Sequence, residues 1–241
     1  MIFQKIKRLI AYTSKTRYVQ YLRSKGMVIG EHTEFLSPVH SDVDIGRAKY
    51  ISIGDHCILC SGISIIAHDY SWKILEDAYG DVVPSGGMPI RIGNNVFIGA
   101  NSTILGGVEI GDNVIIAACS TVCESLPANT VCAGSPAKVI KTLDVFYEKR
   151  KANLVADAKA NAQYIWKHTG KLPTIDEMLN FIVLFMPRTQ ENMQQYVLNK
   201  HRVGGSAEKY AEYLLKTEPQ YQDFNAFLVD ALGEEIVSKN N

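Results

Sequence analysis

A branched aliphatic residue recurs every six positions in this chain, at Ile92, Ile98, Ile104, Ile110, Ile116 and Val122, and glycine directly follows three of them, at Gly93, Gly99 and Gly111. An α-helix repeats every 3.6 residues and a strand every two, so neither holds such a phase for about thirty residues. A parallel β-helix does. Each six-residue unit is one short strand and a tight corner, three units close a triangular coil, and equivalent positions stack about 4.8 Å apart. The period therefore predicts Ile92 on Ile110, Ile98 on Ile116 and Ile104 on Val122. The fourth residue after each aliphatic (Val96, Ser102, Val108, Val114, Ser120, Leu126) is small or apolar, which suits a second inward position in a narrow prism. The glycines are expected to serve the corners, where a sharp turn needs backbone angles that a side chain resists.

Repeat signals begin at Ile29-Gly30, continue through Phe35 and Ile45-Gly46, and become regular at Ile53, Leu59 and Ile65, which places the coil over residues 28–141. The phase breaks once. Ile65 and Ile92 are 27 residues apart, not a multiple of six, and the segment between holds Tyr70, Trp72, Lys73, Tyr79, two prolines and the pair Gly86-Gly87. A loop over 69–89 is expected to leave the coil there, and long loops in compact domains are uncommon unless they carry function.

Beyond Lys141 the period vanishes, and residues 142–241 read as an α-helical extension that opens on a charged stretch from Asp144 to about His168. Thr174-Ile-Asp-Glu177 ahead of an apolar run is a capping box, which predicts a helix ending before Pro187. Further helices are expected over 189–201, 206–217 and 220–237, separated by Gly204, Gly205 and Pro219. His168 and His201 stand alone there, without a catalytic motif. At the other end, residues 1–27 carry Lys5, Lys7, Arg8, Lys15, Arg17, Arg23 and Lys25 and no acid, with Ile2, Phe3, Ile6, Leu9 and Ile10 between the charges. Such a segment forms a helical cap over the open end of the coil, or lies on an anionic membrane surface.

With 46% hydrophobic and 21% charged residues, the 241-residue chain has the composition of a globular protein of one or two domains. No stretch approaches the length of a membrane-spanning helix and no signal-peptide pattern opens the chain, so a cytoplasmic location is expected. Five cysteines (Cys57, Cys60, Cys119, Cys123, Cys132) without a secretory signal point to reduced thiols filling small coil positions. Cys57-x-x-Cys60 lacks a second matching pair, so no metal is assigned. No nucleic-acid partner is expected either.

The run Ile90-Arg-Ile-Gly-Asn-Asn-Val-Phe-Ile-Gly-Ala100, continued through Gly107-Val-Glu-Ile-Gly-Asp-Asn-Val114 to Ala133-Gly-Ser-Pro-Ala-Lys138-Val-Ile-Lys141, resembles the hexapeptide-repeat acyltransferases of the galactoside, maltose and nodulation-factor acetyltransferase type. The resemblance covers about half the chain. It implies a left-handed parallel β-helix, homotrimers with active sites between subunits, and acetyl-CoA as acyl donor. A histidine just before the protruding loop is the general base in such enzymes, and His68, in Ala67-His68-Asp69-Tyr70-Ser71, holds that position. The chemistry asks for such a group, because a sugar hydroxyl must lose its proton as it attacks and imidazole titrates near neutral pH. His32, His40 and His56 are expected to be structural.

The same resemblance implies an oxyanion-binding main-chain amide at the Gly99-Ala100 corner, where galactoside acetyltransferases carry serine in place of Ala100. It implies a pantetheine path along Ala100 and Ala118, and phosphate contacts from Lys138 and Lys141. A Thr-Lys pair common in such relatives is replaced here by Cys123-Glu124. Tyr70 and Trp72 are the expected acceptor-binding residues, since aromatic faces pack on the C–H face of a sugar; either could instead pin the loop. The resulting expectation is acetyl-CoA-dependent O-acetylation of a carbohydrate. N-acetylation of an amino-sugar nucleotide and a non-catalytic scaffold are its rivals, and metal chemistry on a β-helix is disfavoured because no two histidines stand five residues apart.

Overall fold

The computed structural model describes residues 9–84, 88–198 and 207–240. Residues 1–8 of the basic segment, Gly86, Gly87, His201, Gly204 and Gly205 lie outside the described residues. Two compact units divide between Phe146 and Tyr147.

The first unit is a three-sided coil of very short strands. One side stacks β1 (Val28–Ile29), β4 (Ile51–Ile53), β7 (Ile90–Ile92) and β10 (Glu109–Ile110). The second stacks β2 (Glu34–Phe35), β5 (Ile58–Leu59), β8 (Phe97–Ile98), β11 (Ile115–Ile116) and β13 (Thr130–Gly134), and β14 (Ala137–Thr142) closes it antiparallel. The third stacks β3 (Asp42–Val43), β6 (Ser64–Ile66), β9 (Thr103–Leu105) and β12 (Thr121–Val122). The register pairs Ile92 with Ile110, Ile98 with Ile116 and Ile104 with Val122, as the period requires. Val96, Ser102, Val108, Val114, Ser120 and Leu126 are all buried, so both inward positions of each unit fill the prism.

The glycines do a different job from the one expected. Gly93, Gly99 and Gly111 do not adopt positive φ; they sit where coils approach too closely for a side chain. A Cβ on Gly99 would lie 2.3 Å from the Ala118 nitrogen, and one on Gly93 2.4 Å from Asp112 Oδ1. The left-handed corners fall instead to His32, His56, Asn95, Asn113 and Asn129 on one edge, and to Gly62, Asn101 and Cys119 on another. Asparagine tolerates this conformation, and here its amides also bond between coils, Asn95 Nδ2 donating to Asn113 Oδ1 at 2.8 Å and Asn113 Nδ2 to Asn129 Oδ1 at 3.0 Å. His32 and His56 stack in the same column with ring centroids 4.8 Å apart.

Helix α1 (Lys15–Ser24) buries Tyr18, Val19 and Leu22 in the same core cluster as the first coil. Arg23 donates to the carbonyls of Ile29 and Gly30 at 3.0 and 2.8 Å, satisfying acceptors at the end of the coil that an open edge leaves unpaired.

The second unit contains most of α3 (Leu143–Thr169), which begins just before its boundary. The capping box forms in both directions, Thr174 N–H donating to Glu177 Oε2 at 2.8 Å and Glu177 N–H to Thr174 Oγ1 at 3.3 Å. The apolar run behind the box forms a 3₁₀ segment, Leu179–Leu184, and not the expected α-helix. A three-residue period puts Ile182 and Phe185 together in the interior, and burial of this run outweighs α propensity. The expected helix at 189–201 is one turn, Gln190–Asn192, running into a π-helical stretch, Met193–Leu198. After it come Ala207–Leu215, Phe224–Leu232 and Glu234–Asn240, the last two separated by Gly233 at φ 94°. No helix among the described residues is long and apolar enough to cross a membrane.

Candidate active site

The excursion from the coil is set by register. Ile53 pairs with Ile92, 39 positions on, whereas Ile92 pairs with Ile110, 18 positions on, so one coil holds 21 extra residues. The chain departs after β6 at Ala67 and returns at Pro89, whose carbonyl accepts the Gly107 amide at 3.0 Å. Met88 lies over Gly106 and Gly107; a Cβ on Gly106 would be 3.0 Å from that of Met88.

His68 stands at the point of departure, and its Nδ1 lies 2.6 Å from Asp44 Oδ2. Asp44 follows β3 directly, and its amide bonds to the Ile65 carbonyl at 3.0 Å, so the ladder that fixes β3 against β6 also brings the carboxylate to the imidazole. The other oxygen, Oδ1, accepts the Arg47 amide at 3.1 Å and caps the 3₁₀ helix Ile45–Tyr50. Asp44 is 8% exposed and His68 30% exposed, an arrangement in which the carboxylate is sheltered and the ring reaches solvent. A carboxylate only accepts hydrogen bonds, so the neutral imidazole paired with it carries its proton on Nδ1 and has its lone pair on Nε2. Tyr70 packs on the ring, centroids 4.4 Å apart and planes tilted by 40°.

Asp69 turns the chain away, accepting both the amide and the hydroxyl of Ser71; these bonds hold its carboxyl below the usual range. Trp72 then opens helix α2 (Trp72–Tyr79), which Gly80 closes in the left-handed conformation. None of its residues is buried, and Ile74 and Tyr79 are open to solvent. Tyr70 is thus brought to His68, while Trp72 makes no ring contact among the described residues.

The Gly99-Ala100 corner offers one amide. Gly99 N–H is taken by the Ile116 carbonyl at 2.8 Å, while Ala100 N–H makes no hydrogen bond among the described residues. Ala118 stacks one coil further on, Cys119 N–H donating to the Ala100 carbonyl at 2.8 Å. On β14, a bulge makes Ile140 the extra residue: Ala133 pairs with Lys138 and Val131 with Lys141. Val131 and Ala133 share a side of β13, so Lys138 and Lys141, three apart, share a side of β14. Lys138 is ion-paired, its Nζ 2.6 Å from Glu124 Oε2.

Cys57 is buried in the core with its thiol directed at the Gly93 carbonyl, and burial pushes its pKa up, as it does for Cys60. His40 bonds to Ser37, and His168 stacks on Tyr164. A cleft of about 510 Å³ in the helical unit, lined by Met186, Asn192, Asp223, Phe224 and Leu228 among others, contains none of the expected site residues. Sequence reasoning missed Asp44. Its signal was an acid directly after a coil aliphatic, one turn of the prism before the loop.

The model of the bacterial transferase hexapeptide, six repeats, matches residues 89–124. Protein CapG of Staphylococcus aureus is 39% identical over 141 residues, 58% of this chain and 80% of CapG. The chain belongs to the bacterial hexapeptide transferase family. It is also 46% identical over 65 residues to the 2,3,4,5-tetrahydropyridine-2,6-dicarboxylate N-acetyltransferase of Enterococcus faecalis, of which it spans only 28%. Among solved structures, a galactoside acetyltransferase in complex with coenzyme A is 22% identical with a TM-score of 0.45, over 61% of this chain and 82% of that one.

Proposed function

We propose that this chain is an acetyl-CoA-dependent O-acetyltransferase that acts on a carbohydrate hydroxyl, with His68 as general base. The observation that carries this reading is the His68–Asp44 pair at the base of the excursion, which leaves Nε2 as the free acceptor. Nε2 takes the hydroxyl proton as the oxygen attacks the thioester carbonyl; the C–O bond forms, the C–S bond breaks, and the departing thiolate recovers the proton from the imidazolium. General-base help of this kind is worth about 10²- to 10⁴-fold. The unpaired Ala100 amide suits the developing oxyanion, where one such donor is worth about 10²- to 10³-fold.

The donor's pantetheine passes Ala100 and Ala118, and its phosphates meet the side of β14 that carries Lys138 and Lys141. Tyr70, already on the imidazole, and Trp72 hold the sugar. We further read the coil as left-handed and the assembly as a cytoplasmic homotrimer with sites between subunits. Residues 1–27 act as cap, 28–141 as catalytic domain and 142–241 as helical extension. Family membership and the terminal motif support this reading.

Calorimetry with acetyl-CoA and transfer assays on a sugar panel, comparing wild type with His68→Ala, test it. Binding retained with transfer lost is the expected result; equal transfer by both removes His68 from the mechanism. The similarity to an N-acetyltransferase supports a second reading, transfer to an amine, for which we take an amino-sugar nucleotide as the acceptor. A product cleaved by hydroxylamine is an ester and keeps the first reading; a resistant amide selects the second.

A further inference from the structure

Resting on the donor site just proposed, we infer that Glu124 is a specificity residue that weakens the hold of this protein on the phosphate-bearing end of its donor. Lys138 and Lys141 face the same way from β14, a two-cation surface suited to phosphate. Glu124, at the corner after β12, places a carboxylate 2.6 Å from one of them. A phosphate arriving at Lys138 meets an ammonium already paired, and a second negative charge within a few ångströms of its own.

Both side chains are largely exposed, 56% for Lys138 and 62% for Glu124, so their pair stabilises the fold little and opens readily. Opening it does not remove the carboxylate. Unit charges about 4 Å apart in water interact by about 1 kcal/mol, roughly fivefold in a binding constant. The carboxylate of Glu124 therefore falls on the residue that would meet the donor's phosphate, Lys138. Its consequence is selective: the penalty applies to ligands that carry phosphate and spares the pantetheine arm.

Binding of CoA, 3′-dephospho-CoA and phosphate-free acetylpantetheine to wild type, Glu124→Gln, Lys138→Ala and the double variant tests this by calorimetry at low and high salt. The expected result is CoA bound about three- to tenfold tighter by Glu124→Gln, acetylpantetheine unchanged, and a gain that shrinks as salt screens it. Lys138→Ala should cost more CoA affinity in the Glu124→Gln background than in wild type, because only there is the ammonium unpaired. CoA bound equally by wild type and Glu124→Gln, or acetylpantetheine tightened as much as CoA, overturns the inference and leaves the donor site standing. Absence of CoA binding by every variant overturns the donor site and the inference with it.

Discussion

Ile98 in the coil meets the same kind of neighbour on either side, Leu59 on one rung and Ile116 on the next, each in the same orientation. Phe185 in the helical unit meets Phe224 at 4.7 Å and Phe227 at 5.1 Å, at different tilts and from one helix. The coil is translationally ordered, so knowing one rung gives the others. The helical unit is a single jigsaw, in which each contact is particular. The same contrast separates their polar pairs. Asp44 in the coil divides its oxygens between a backbone cap and an imidazole that reaches solvent, whereas Asp230 in the helical unit ties Lys159 to Tyr221, 2.7 and 2.5 Å away.

The largest expected effect exploits those two carboxylates. Asp44→Asn should lower kcat by about tenfold or more, because the imidazole loses the partner that fixes its tautomer. CoA affinity should stay unchanged, and Asp230→Asn should leave turnover alone while lowering the denaturation midpoint. Equal losses of turnover in both variants would erase the distinction. Next come two glycines. Gly99→Ala forces a Cβ to 2.3 Å from backbone in the next coil and should cost about 1–3 kcal/mol in urea unfolding. Gly170→Ala, at φ 66° with open space around it, should cost only the conformational strain of about 1 kcal/mol. A Gly99→Ala protein as stable as wild type would show that the coils are not held as tightly as their spacing indicates.

The smallest effect is a pH dependence. Burial, and then the bond to Asp230 and its charge, push the Tyr221 phenol up to about 12. The folded state keeps this proton through the range where the unfolded chain, with an ordinary phenol near 10, releases it. The stability it contributes is whole below about pH 10 and lost as the pH rises toward 12. Stability measured at pH 9 and pH 11.5 should therefore fall less in Tyr221→Phe than in wild type.

How much of the molecule was legible in its sequence depends on the same contrast. The three stacked pairs and both inward positions came directly from a six-residue phase, because translation fixes every neighbour. The reason for the glycines did not, since close approach between coils and a left-handed corner leave the same mark in sequence; the asparagines at positions 95, 101, 113 and 129 point to where the corners lie. Asp44 stayed hidden because its coil is irregular: ten residues separate Val43 from Ile53, with the short helix Ile45–Tyr50 filling the difference. The Thr174 box announced a helix start but not its type, because periods of 3 and 3.6 look alike over six apolar residues. Nothing periodic announced that α2 would form inside the excursion.

That excursion has a consequence for how such a protein can change. It leaves and rejoins the prism on adjacent rungs, and Ile53 finds Ile92 as if the 21 residues were absent. The entropy of closing a flexible insert grows only with the logarithm of its length. A longer or shorter insert, or one of another composition, therefore alters the surroundings of His68 while leaving the ladder below it in step. The prism works as a fixed spindle and the insert as an exchangeable head.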